Sequence, residues 1–455
     1  MEKVLTFLQV NESRFVDQLT EYLRFPSVSA QPDHSADMLR CAGWLVDRCK
    51  DIGLKTKLHK TSGHPIVIAS TPRRKNSKKP RYLVYGHYDV QPPEPFELWK
   101  TPPFEPTVKN GAIYARGSTD NKGQHLAHLN AVEAFLKTGT ELPCDITFVV
   151  EGEEEVGSEH LAPFLKANKD NLKCDGVVIS DSGMPSKKHP ALTYGLRGVT
   201  ALEIKLTGPA QDLHSGIYGG AVDNPAMVLA QVLAQLRDKK GRVAVPGFYD
   251  DVKPLTAYER KMFKLLPINA DQFRKLVGSP ELYGEKGYTH HEQRSARPTL
   301  EINGLTSGYQ GEGSKTIVPS WARAKLTMRL VPDQNPKKIL KLVKERIRAL
   351  CPPTVRLKMV DGHAGGAYVI DPTCDLAQAG LRALKSAFGY EPVLLREGGS
   401  IPIVSDFKQI LKADSLLLGL ALPDDNLHSP NEKFDLGNYA KGARMSAILW
   451  QELGK

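Results

Sequence analysis

The sequence predicts an α/β domain built on a mainly parallel sheet and interrupted by an inserted α+β domain. Three observations lead there. Compact apolar runs recur as YLVYGH, ITFVVEG, DGVVISD and SLLLGLAL with helical spacing between them, the pattern of strands buried on both faces. Near 320–331 and 355–362 the runs WARAKLTMRLV and VRLKMVDG alternate instead, as antiparallel strands with one solvated face do. Beyond them the apolar α/β pattern resumes, so the middle stretch reads as an insertion.

Taken in order, residues 36–52 carry Met38, Cys41, Ala42, Leu45, Val46, Cys49 and Ile52 at three-and-four spacing, which predicts a helix with one buried face. Leu54, Thr56 and Leu58 alternate as a strand, followed by IVIAS and YLVYGH. Residues 122–137, with Leu126, Leu129, Val132, Phe135 and Leu136, predict a helix. LRGVTALEIKLTG opens the insert with an alternating strand, and a helix follows over 225–236. Prolines at 246, 254, 267, 280 and 298 make 240–300 a short helical and loop elaboration, and a terminal helix follows Asp435. The expected division is 1–195 and 366–455 for the α/β domain and 196–365 for the insert. A length of 455 residues fits two to three units at about 150 residues each.

Composition narrows the function classes. Hydrophobic residues make up 41% and charged residues 25%, enough apolar material for a sizeable core and too much for a disordered chain. The net charge is +10, and the densest basic run is Arg73, Arg74, Lys75, Lys78, Lys79 and Arg81. That run lacks interleaved aromatic residues, so it reads as a solvated loop rather than a nucleic-acid surface. Six cysteines show no C-x-x-C pair, which fits a reducing compartment. Neither a signal-type stretch nor an apolar run near the ~18 residues of a membrane span is seen, and a soluble cytoplasmic protein is expected.

The chemistry-bearing residues follow the strands. His87 stands in YGHYDVQP, Asp120 in ARGSTDNKGQ, Glu154 and Glu155 in EGEEEVGS, Asp181 in ISDSG and His428 in LHSPNE. In open α/β sheets such positions converge beyond the carboxyl ends of the strands. Two imidazoles with several carboxylates are a donor set that zinc or manganese accepts. If Asp120 bridges two divalent ions, with His87 and Asp181 on one and Glu155 and His428 on the other, three carboxylates offset four positive charges and leave one. A bridging hydroxide would cancel it. Asp89, two residues after His87 on an extended backbone, can orient that imidazole. A rival pair, His125 and His128, sits one turn apart on the next helix but lacks a third ligand, and it reads as part of the core.

Together GHYDVQP, YARGSTDNKGQ, EGEEEVGS and DLHSGIYGG resemble the M20 family of metallopeptidases, and within it the cytosolic and carnosine dipeptidases. The resemblance implies a di-metal hydrolase domain with a lid and dimerisation insert, holding two divalent ions, Zn2+ first and Mn2+ as the alternative. It implies His87, Asp120, Glu155, Asp181 and His428 as ligands, Glu154 as general base, Asp89 behind the ligands, and a cis peptide after Asp120. It further implies that His214 stabilises an oxyanion, reaching across a homodimer, and that Arg329 and Ser400 contact substrate; Thr316 joins them because it stands in GEGSKTIVP, a Gly-rich stretch whose amides could hold an anion. An Arg fork matches a free carboxylate, which suits Arg329 to a peptide C-terminus.

The expected reaction is hydrolysis of a dipeptide or short peptide by a metal-bridged water, with Glu154 taking the proton. Within the same family an N-acyl amino acid deacylase is the alternative. From a different class, a basic non-catalytic binding protein would lack metal-dependent turnover. Neither nucleic acid nor membrane is an expected partner.

Overall fold

The computed structural model describes residues 1–73, 77–399 and 401–455. The chain divides into two compact units. One comprises residues 1–194, 370–395 and 406–455, the other 195–369 and 396–405. The second therefore extends to residue 369 and also takes residues 396–405, both beyond the expected 196–365.

The first unit is built on a sheet whose centre is parallel. Asp145–Glu151, Arg81–His87, Gly176–Ile179 and Ser415–Gly419 lie side by side in that order and run parallel. Flanking strands are antiparallel: Ile66–Ser70 and Lys55–His59 on one side, Ala191–Leu196 on the other. The parallel centre is where the apolar runs are continuous, because consecutive residues are buried there: Val84 and Tyr85, Val178 and Ile179, with Phe148 and Leu416 on the neighbouring strands.

Three helices matter for the site. Ser35–Asp51 buries Met38, Cys41, Ala42, Leu45 and Cys49, the stripe its spacing predicted. Gln124–Lys137 is buried at every residue from 124 to 135, so its polar residues must find partners inside the protein. Leu436–Leu453 is capped by Asp435, whose carboxylate accepts from the Asn438 amide at 2.9 Å. The segment Ser118–Gly123 precedes the second of these as an irregular turn, with the Asp120–Asn121 peptide in cis.

A small separate sheet joins two distant stretches of the first unit. Ala112–Tyr114 pairs with Thr107–Lys109 on one side and with Lys433–Asp435 on the other, all antiparallel. The segments that follow the first strand and precede the last are thereby held beside each other.

The second unit is a four-stranded antiparallel sheet in the order Thr299–Ser307, Trp321–Leu330, Gly198–Thr207, Arg356–Gly365. Alternate residues Ala322, Ala324, Leu326, Met328 and Leu330 join Leu202, Ile204 and Leu206 in one core with Val228, Leu229, Val232, Ile339, Val343 and Ile347. The last six come from helices Pro225–Ala234 and Pro336–Leu350, which cover that face. The proline-rich stretch forms helices Ala257–Lys264, Ala270–Val277 and His290–Ala296, each begun by a capping box. Of the basic run, Arg74 and Lys75 lie outside the described residues, and the described part is loop whose Arg73 and Lys79 make surface ion pairs with Asp145 at 2.8 Å and Glu141 at 2.7 Å.

Candidate metal centre

His87 is the last residue of the central strand Arg81–His87, and Asp181 follows Gly176–Ile179 by two residues. Glu154 and Glu155 open a single 3-10 turn, Glu154–Val156, just past Asp145–Glu151. Asp120 and His428 arrive differently. They belong to the segments flanking the small sheet, and His428 takes a left-handed backbone conformation with φ of 60°. All six stand in the first unit, and five of them are the expected ligands.

They meet as two trios sharing Asp120. His87, Asp120 and Asp181 form one, and Asp120, Glu155 and His428 the other, with the donor atoms of each trio within 4.8 Å of one another. The shared carboxylate is split between them. Its Oδ1 lies 3.2 Å from His87 Nε2, and its Oδ2 lies 2.9 Å from His428 Nε2. Asp181 Oδ1 is 3.8 Å from His87 Nε2, and Glu155 Oε2 is 3.4 Å from His428 Nε2.

Whether a cation fits is decided by what is left unbonded. His87 Nε2 and Glu155 Oε1 are buried without a hydrogen-bond partner, because the His87 contact to Asp120 lacks hydrogen-bond alignment. A buried donor or acceptor left in this state is costly unless something else fills it. Nitrogen and carboxylate oxygen are donors that zinc and manganese accept, so the residues fit two divalent ions.

The surroundings orient the donors. His87 Nδ1 lies 3.0 Å from the Asp89 carbonyl oxygen and 3.3 Å from Asp89 Oδ1, which turns Nε2 toward Asp120. The same buried Asp89 carboxylate accepts from Ser29 Oγ at 2.7 Å and from the Glu154 and Glu155 amides at 3.3 and 3.0 Å. One carboxylate thus fixes both the imidazole and the turn bearing the two glutamates. Asn121 Nδ2 donates to Asp181 Oδ1 at 2.8 Å, and Gln91 Nε2 to Glu155 Oε2 at 2.8 Å. The third glutamate of the run, Glu153, points elsewhere, to His160 Nδ1 at 2.7 Å and the His64 amide at 3.1 Å.

Crowded carboxylates repel, and the protonation directions record it. Burial pushes Glu154 up to about 7, with Asp181 and Asp120 adding to the rise against His87. Burial, then Asp120, pushes Glu155 up to about 9. His428 is raised to about 9, chiefly by its hydrogen bond to Asp120. Burial opposes ionisation of Asp120 itself, but His428 and His87 outweigh it and hold that carboxyl well below the usual range.

The rival histidine pair is structural. His128 is bound on both ring nitrogens, by Ser446 Oγ and Ser180 Oγ at 2.8 Å each. His125 contacts Asn121 Oδ1 at 3.2 Å and the Tyr22 hydroxyl at 3.3 Å.

The remaining expected site residues lie in the second unit. His214 ends the two-residue strand Leu213–His214, which pairs with Ile317–Val318, and the Ser215 amide donates to the Thr316 carbonyl at 3.0 Å. His214 and Thr316, separated by about a hundred positions in sequence, are therefore neighbours. His214 Nδ1 accepts from the Gly216 amide at 3.0 Å. Arg329 sits on Trp321–Leu330 opposite Val199 and Thr299. Burial first, then the charge of Arg329, holds the Arg197 guanidinium down to about 10, with Glu301 acting the other way. Ser400 lies outside the described residues. Sequence reasoning missed Glu432, whose buried carboxylate binds the turn carrying Asp120.

A parallel-centred α/β unit with two imidazole and carboxylate trios about one shared aspartate defines a metal-dependent hydrolase. The family model described as peptidase family M20/M25/M40 matches residues 83–452, and the chain belongs to that family. Among similar proteins, the Cys-Gly metallodipeptidase dug1 of Schizosaccharomyces pombe is 32% identical over 100% of this chain and 98% of its own length. The Beta-Ala-His dipeptidase of Rattus norvegicus is 32% identical over 100% of this chain and 96% of its own. The crystal structure of the M20 family metallo-carboxypeptidase Sso-CP2 from Sulfolobus solfataricus matches with a TM-score of 0.85 at 33% identity, covering 97% of this chain and 99% of that one.

Proposed function

We propose that the chain hydrolyses the peptide bond of dipeptides or short peptides at a centre of two divalent ions, Zn2+ first. The observation that carries this reading is the division of Asp120, one oxygen toward His87 and the other toward His428. His87 and Asp181 would hold one ion and Glu155 and His428 the other, with Asp120 common to both. Bound ions there would acidify water and polarise the scissile carbonyl.

The protein's own groups supply the rest. Glu154 adjoins a ligand without being in either trio, so its carboxylate is available to take a proton from water and return it to the leaving amine. Asp89 keeps the His87 ring and the glutamate turn in register. His214, anchored through Nδ1, has Nε2 available as a donor to an oxyanion, and its place beside Thr316 supports the two acting together. Arg329, a guanidinium near that of Arg197, suits the carboxylate of a peptide C-terminus.

A homodimer formed through the second unit is part of the reading. Thr299–Ser307 is an edge strand of its sheet, and Ile302 and Leu305 on it are 48% and 60% exposed, an edge that another copy can cover. Substitution Leu305→Glu should shift the species seen by light scattering toward monomer. A cytoplasmic location is supported by six cysteines that are all free. Separately, no helix among the described residues is long and apolar enough to cross a membrane.

The deciding experiment is a metal-reconstituted assay across dipeptides, longer peptides and N-acyl amino acids. Turnover of dipeptides that is lost on chelation and restored by Zn2+ or Mn2+ supports the proposal. Turnover confined to N-acyl amino acids would replace it with a deacylase, and absence of turnover with every metal would leave a binding protein.

A further inference from the structure

Glu432 is fully buried, and its carboxylate is occupied by four donors from one short stretch of chain. Oε1 accepts from the amides of Thr119 and Asp120 at 2.9 and 3.1 Å. Oε2 accepts from the Gly117 amide at 2.9 Å and from Arg116 Nη1 at 2.8 Å. Its backbone carbonyl accepts from the Ala115 amide at 3.1 Å. Arg116, 1% exposed, is held in turn by the Pro92 carbonyl at 3.4 Å and lies over the Trp99 ring at 5.4 Å.

Three amides of one turn converging on a single anion form a concave cradle, and here the anion is part of the protein. The turn ends at Asp120. Glu432 itself lies four residues past His428 and immediately before Lys433–Asp435, the strand paired with Ala112–Tyr114. One side chain therefore connects the backbone bearing the shared carboxylate to the segment bearing the histidine that faces it. Only an acceptor on both oxygens satisfies this arrangement. An amide in its place would set an NH2 against N–H donors and leave the buried Arg116 without its counter-charge.

We propose that Glu432 is a positioning residue for the metal centre, holding the 116–120 turn so that Asp120 presents one oxygen to each trio. This rests on the reading of Asp120 as the shared ligand. Because Asp120 contributes to both sites, disturbing its support weakens both, whereas loss of a donor that belongs to one trio weakens that site first.

The test is titration of chelator-stripped protein with Zn2+ in competition with a chromophoric chelator, comparing the parent with Glu432→Gln, Arg116→Lys and Val343→Ala. Val343 is in the core of the second unit, and its substitution lowers stability without touching the turn. The parent is expected to take up two Zn2+. Glu432→Gln should bind both about 10- to 100-fold more weakly, the range seen when a group supporting a metal ligand is removed. Val343→Ala should keep parental affinity despite a lower melting temperature. Parental affinity at both sites in folded Glu432→Gln overturns the inference alone. If that variant does not fold, Arg116→Lys carries the test, with at least several-fold weaker binding expected and parental affinity overturning it. A parent that binds no Zn2+ overturns the metal-centre reading and this inference with it.

Discussion

His128 offers a test of the interior that does not depend on any bound metal. Its ring is wholly buried, each nitrogen meets a serine hydroxyl, and burial alone lowers it from 6.5 to about 4. The neutral imidazole is therefore the folded form. Because the unfolded chain takes the proton more readily, stability is full above pH 6.5 and falls as the pH drops toward the folded value. From these two values the loss is about 1 kcal/mol at pH 5.5 and about 3 kcal/mol at pH 4, levelling off below that. Urea unfolding of the parent and of His128→Gln at pH 7, 5.5 and 4 isolates this contribution, since every other titrating group is common to both. At pH 7 the variant should be less stable by roughly 1 to 3 kcal/mol, from imperfectly replaced buried hydrogen bonds. That gap should close as the pH falls and vanish or invert by pH 4. A gap unchanged with pH would refute the assignment of a neutral, doubly bonded His128.

Further outcomes follow from the same geometry. Glu154→Ala should abolish turnover while keeping its metal, and Glu155→Ala should lose metal by elemental analysis; equal losses would reverse their assignment. Asp89→Asn replaces one acceptor of a carboxylate that meets His87, Ser29 and two amides, so Zn2+ affinity should fall by about 10- to 100-fold in a competition titration. Leu326→Ala opens the buried core of the second unit and should cost about 2 to 5 kcal/mol in denaturant unfolding followed by circular dichroism.

Much of this arrangement was legible in the residues, for identifiable reasons. Strands such as Arg81–His87 and Gly176–Ile179 are buried on both faces, so their apolar runs were continuous, and His87 and Asp181 stand out where those runs stop. The alternating pattern of Trp321–Leu330 likewise announced a sheet with one covered face. Asp120 and His428 were expected beside the main strands, but they are held by a three-stranded sheet of very short strands, too brief to leave a period. Glu432 had no local signal at all, since a glutamate after Asn431 in a polar loop looks solvated until the tertiary fold brings three amides and an arginine to it. The return of residues 396–405 to the second unit was equally silent, because ten residues shift no composition. His214 and Thr316 were named separately, and their adjacency depends on a two-residue ladder that no sequence pattern marks.

The most direct measurement is the zinc content of the dialysed protein and of Asp120→Asn, counted per chain by elemental analysis. The parent should carry two ions, and the variant should lose both, because each trio draws an oxygen from that one carboxylate. A parent without bound metal, or a variant that still holds two ions, would contradict a centre organised around Asp120.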